Sequence, residues 1–152
     1  MTTLRTLHKW DYRIHLVFAV AIVAILLGFK PDQWLKADVV TGKIDVYKFD
    51  DNVQTKLQPS QWTQYELSKV LRSVKTMKVS SYRQLPPRYL LFNFERTVVL
   101  DDSPVPFAFK QMIVTLPDST WQKPQMLLKN PQGQWLEYDM SHPLTMLLRD
   151  YR

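Results

Sequence analysis

Glu137, Asp139 and His142 lie in one short stretch of the chain, with Ser141 beside the histidine. A carboxylate that orients an imidazole, next to a hydroxyl, supplies the parts of acid–base hydrolysis. That chemistry requires the three side chains to converge in a concave pocket. The same stretch also has a structural use. Ser141 is placed to cap a helix and Pro143 suits the first turn that follows. Capping accounts for the residues with fewer assumptions, which leaves a cell-envelope hydrolase built on Glu137, Asp139 and His142 as the alternative reading.

Ser68 and Lys69 are the residue types of the nucleophile and base in a signal-peptidase-like dyad. Adjacent positions on a helix diverge by about 100°, so the two cannot meet if they share one. No serine here is flanked by the pattern of a strained nucleophile. Asp50-Asp51 and Asp101-Asp102 offer paired carboxylates for calcium or a shared proton. Their neighbours Asn52, Ser103 and Pro104 fit plain surface turns, and neither pair belongs to a calcium-loop pattern. The chain contains no cysteine, which excludes disulfides, thiolate metal sites and cysteine nucleophiles. Of the histidines His8, His15 and His142, the first two lie in or beside an apolar stretch, which argues against a multi-histidine zinc site. No catalytic residue, metal or cofactor is assigned.

Binding chemistry is the remaining possibility. The 20 Lys and Arg against 14 Asp and Glu give a formal charge of +6, which favours anionic surroundings. Lys69, Arg72 and Lys75 project from one side of a predicted helix and Lys78 follows just after it. They form the candidate binding surface, suited to anionic lipid headgroups or an envelope polyanion. A basic helix face is also what solvent ordinarily meets. Trp62, Tyr65, Tyr82, Tyr89, Trp121 and Trp135 add aromatic groups that serve equally in recognition or in a core.

The elements that must position these groups follow from periodicity. A half-exposed strand is predicted over 42–49, with Ile44 and Val46 on one face and Asp45 and Tyr47 on the other, and a turn at Asp50, Asp51 and Asn52. A helix capped by Ser60 is predicted to run to about Met77, its apolar face made by Leu67, Val70, Leu71, Val74 and Met77. Strands are then predicted over 78–82, 88–95, 107–116, 125–129 and 135–138. Pro86-Pro87, residues 101–104, Pro117-Asp118 and the Asn130-Pro131-Gln132-Gly133 turn separate them. A closing helix presents Leu144, Leu147, Leu148 and Tyr151 to the sheet. The fold class is therefore α+β: a mainly antiparallel sheet with two helices on one face, in the order strand, helix, strands, helix.

Before this domain stands the strongest signal in the chain. Residues 16–29, LVFAVAIVAILLGF, carry no charged or hydrogen-bonding side chain. As a helix the run rises about 21 Å, short of a hydrocarbon core about 30 Å thick. Extending it from Tyr12 to Trp34 gives about 33 Å and places aromatic rings at both ends, with Trp10 just outside. Arg13 at one end and Lys30 at the other are placed to reach headgroups. A cleaved secretory signal fits the length of the apolar run, but the nearest cleavage position, Ala37, has Leu35 where a small residue is preferred. Arg5, Lys9 and Arg13 before the run against Lys30 and Lys36 after it orient the amino terminus toward the cytoplasm.

These readings divide the chain into a cytoplasmic tail (1–11), a single transmembrane anchor (12–34) that contacts the bilayer, and an extracytoplasmic α+β domain (35–152). The expected function is a noncatalytic interaction domain that binds a membrane protein or an anionic envelope component, with an accessory subunit of a membrane complex as a related possibility. No nucleic-acid partner is expected, because no such motif is present and the topology places the domain outside the cytoplasm.

Overall fold

The computed structural model describes residues 38–78 and 84–151. The predicted anchor, with Trp10, Tyr12, Arg13, Lys30 and Trp34, lies outside the described residues. The first two elements are β1 (Ile44–Asp50) and β2 (Val53–Leu57), followed by α1 (Thr63–Arg72) and β3 (Val74–Lys78). The chain continues through β4 (Arg88–Val98), β5 (Phe109–Thr115), β6 (Met126–Lys129) and β7 (Trp135–Met140), and ends in α2 (Thr145–Arg149). The strands of the described residues join one seven-stranded sheet of order β2-β1-β4-β5-β6-β7-β3, every neighbour antiparallel. The expected α+β class, antiparallel sheet and two helices are therefore present.

Local sequence explains most of the turns. Between β1 and β2, Asp51 and Asn52 both adopt positive φ, and Asp50 pairs directly with Val53. Two left-handed residues match the twist of the strands they join, and short side chains that bond locally tolerate that conformation. Between β6 and β7, the Asn130 side chain accepts the Gln134 N–H at 2.8 Å and Gly133 takes φ +82°. Glycine is the residue with least steric cost there.

Both helices cover the same face of the sheet. Leu67, Val70 and Leu71 of α1 form one buried cluster with Leu147 and Leu148 of α2 and with Leu144 and Tyr151 beside it. Val46, Leu90, Phe92, Val114, Met126 and Leu128 supply the sheet side of that cluster. Tyr151 meets Phe92 edge to face at 5.9 Å, and its hydroxyl is hydrogen-bonded to Thr63. Each fully buried leucine contributes roughly 1.5–3 kcal/mol relative to exposure. Alternation along the strands sends Ile113, Leu127 and Glu137 to the opposite face, where they are also buried.

Four expectations need correction. The first helix stops at Arg72, and Val74 to Lys78 form a strand rather than its last turns. The Ser73 hydroxyl donates to the Val70 carbonyl at 2.7 Å, closing the helix. The following Val-Lys-Thr-Met-Lys run then pairs with β7, where β-branched residues fit well. Met77, expected in the helix core, is 55% exposed on this edge strand. Second, Val53 to Leu57 make a strand that apolar periodicity does not mark, because β2 is an exposed edge. Third, Ser141 is not the cap of α2, which has Leu144 at that position and no side-chain cap. Its hydroxyl instead donates to the Ser73 carbonyl at 3.4 Å. Fourth, α1 begins at Thr63 with no side-chain cap; the Ser60 hydroxyl accepts the N–H of Trp62, the residue that precedes the helix, at 3.2 Å.

Candidate functional site

Strand β7 and the loop after it carry Glu137, Asp139 and His142 along the wall of a cleft of about 860 Å³ at one end of the sheet. The period of the strand puts Glu137 and Asp139 on the same face. Glu137 is only 3% exposed, and its Oε1 accepts a hydrogen bond from Gln125 Nε2 at 2.9 Å. Gln125 is fixed in turn, its backbone N–H donating to Thr115 Oγ1 at 2.8 Å. A buried carboxylate needs such donors, since burial without them is costly.

Asp139 pairs with Lys78 on the neighbouring edge strand at 2.6 Å. That hydrogen bond holds the Lys78 ammonium above the ordinary lysine range. His142 turns elsewhere. Its Nε2 lies 3.1 Å from Glu66 Oε2 on α1, and its backbone N–H donates to Ser73 Oγ at 3.0 Å. The three residues thus share a cleft wall, yet each side chain is engaged by a different element. The imidazole has its carboxylate on α1, not on β7, and the pair clips the β7–α2 loop to the helix. Among the described residues no group of histidines and carboxylates is arranged to hold a metal ion.

The four basic residues of the predicted binding surface separate into two sets. Lys69 and Arg72 belong to α1, whereas Lys75 and Lys78 belong to β3. Lys78 is taken by Asp139. Lys69 stands 4.2 Å over the Tyr65 ring and 3.9 Å from Glu66 Oε1. Contact with the Tyr65 side chain is the main cause that raises its pKa above the ordinary lysine value.

Sequence reasoning placed Trp62 and Tyr65 only among the aromatics of undecided role. Both are large side chains left in solvent, 57% and 46% exposed, with ring centroids 6.3 Å apart in an edge arrangement. Trp62, Tyr65, Lys69 and Arg72 follow spacings of three, four and three residues, which align them on one side of a helix. The signal lies in that spacing, opposite the apolar face of Leu67, Val70 and Leu71, and the structure adds that both rings are open to solvent. The backbone of Val40 is fastened to the same helix. Its N–H donates to Ser68 Oγ at 3.3 Å, and its carbonyl accepts Gln64 Nε2 at 2.8 Å.

Among the described residues no helix is long and apolar enough to cross a membrane. Comparison of the chain with protein-family models, curated proteins and solved structures returns no match.

Proposed function

We propose that this chain is a single-pass, membrane-tethered, noncatalytic domain that lies outside the cytoplasm and binds a protein or a cell-envelope component. The observation that carries the reading is the uninterrupted apolar run at 16–29 with aromatic residues at both flanks, followed directly by a folded unit from Asp38 onward. The partners of the acid–base candidates support it further. Glu137, Asp139 and His142 are each used to join elements of the fold, through Gln125, Lys78 and Glu66. Tethering suits a binding domain, because confinement to the membrane raises the effective concentration of a partner in the same membrane and makes weak contacts sufficient.

The test is alkaline extraction of membranes from cells that express the full chain, combined with intact-mass measurement and crosslinking. The expected result is an uncleaved chain that stays in the membrane pellet and crosslinks to a discrete partner. Release into the supernatant, or a mature chain that starts near Asp38, contradicts the tether.

A further inference from the structure

We infer that the outward face of α1, formed by Trp62, Tyr65, Lys69 and Arg72, rests on the anionic phospholipid surface of the membrane that anchors the chain. This deepens the tether reading and depends on it. Three observations converge. Tryptophan and tyrosine are the side chains that settle at the headgroup level of a bilayer, with the ring in the apolar boundary and the polar tip in water. Here they sit exposed on the same side of the helix as two cations.

The second observation is reach. Residues 35–39 connect Trp34, the outer end of the proposed anchor, to Val40, whose N–H and carbonyl are both bonded to side chains of α1. A fully extended chain spans about 3.3–3.6 Å per residue, so this link reaches about 20 Å at most. If residues 12–34 span the membrane, this short link limits how far Val40 can lie from the surface. The third observation is charge. Against the one carboxylate of α1, Glu66, whose Oε2 faces His142 and whose Oε1 lies 3.9 Å from Lys69, the helix sets two cations, Lys69 and Arg72. A cation near an anionic leaflet raises membrane partition about fivefold.

The absence of cysteine in the chain makes the test direct, because a single introduced cysteine carries a single nitroxide label. Gln61→Cys places the label beside Trp62, and Gln132→Cys places a reference label in the exposed β6–β7 turn. The full chain is reconstituted in vesicles of phosphatidylglycerol and phosphatidylethanolamine, and separately in phosphatidylcholine. Collision with oxygen, enriched in lipid, is compared with collision with a water-soluble nickel chelate.

In the anionic vesicles the Gln61→Cys label should favour oxygen over nickel several-fold more than the Gln132→Cys label, and less so in phosphatidylcholine. Adding Trp62→Ser, Tyr65→Ser and Lys69→Glu should return it to the aqueous ratio, with the circular dichroism spectrum and the Gln132→Cys line shape unchanged. An aqueous ratio at Gln61→Cys in vesicles that retain the chain overturns the lipid contact and leaves the tether standing. A label that neither collider reaches overturns it in favour of a second copy of the chain on this face. A chain that does not float with either vesicle refutes the tether itself.

Discussion

Helix α1 turns Leu67, Val70 and Leu71 toward the sheet, where all three are buried, and turns Trp62 and Tyr65 away from it, where both are open to solvent. Apolar side chains thus occupy two sides of one short helix under different constraints. On the inward side, size and shape are dictated by packing against Phe92, Val46 and the α2 leucines. On the outward side Trp62 meets Tyr65 edge to face and Tyr65 lies under Lys69, and core packing does not set the identity of either ring. Exposed aromatics at helical spacing, with no role in the core, are the kind of feature that a binding surface explains.

Substitutions on the two sides should therefore separate stability from binding. The largest effect is expected at Leu67→Ala, which deletes a fully buried side chain and should lower the free energy of unfolding by about 2–5 kcal/mol in denaturant titration. Next comes His142→Ala. It leaves the Glu66 carboxylate, at the boundary between the two sides, without its nearest partner, and should cost about 1–3 kcal/mol. A double-mutant cycle with Glu66→Gln would show coupling between the two residues, whereas additive losses would mean the pair contributes nothing.

Tyr138→Phe should act in the opposite direction. The Tyr138 hydroxyl is buried without a hydrogen-bond partner among the described residues, so its removal should stabilise the domain by about 1 kcal/mol. Burial also raises the pKa of Tyr138, as it does for Tyr89 and Tyr151. The folded state then keeps these protons at a pH where the unfolded chain releases them. Stability is complete below the unfolded value near 10 and falls as pH rises toward and through the folded value. Unfolding curves at pH 8 and pH 11 should show that loss, and Tyr138→Phe should lessen it. The smallest effect is expected on the outward side: Trp62→Ser with Tyr65→Ser should change stability by no more than about 0.5 kcal/mol. A larger loss would erase the distinction between the two sides of α1.

The comparison also marks where the sequence was readable. Strands β4 to β7 are legible because β-branched and aromatic runs alternate with proline and Asp-rich turns, and Leu147 and Leu148 of α2 are legible as its buried side from their spacing with Leu144 and Tyr151. The end of α1 was missed because Val74 and Met77 continue the three- and four-residue spacing by coincidence, while the pairing that makes them a strand comes from β7, far along the chain. Edge strand β2 was missed because its exposed side chains leave no burial pattern.

The candidate site shows the same division. Proximity in sequence was enough to place Glu137, Asp139 and His142 on one cleft wall. Their partners Gln125, Lys78 and Glu66 come from other elements, and no local pattern announces them. The basic residues Lys69, Arg72, Lys75 and Lys78 come from two elements, since Lys75 lies on β3 with Lys78 and not on an extension of α1.

The tether itself is tested most directly by labelling the Thr120→Cys chain in intact cells with a membrane-impermeant maleimide, then counting the label on chain that remains in the alkali-washed membrane pellet. A membrane-anchored domain outside the cytoplasm predicts the same labelling in intact and permeabilised cells. Labelling only after permeabilisation, or labelled chain found only in the supernatant, would contradict it.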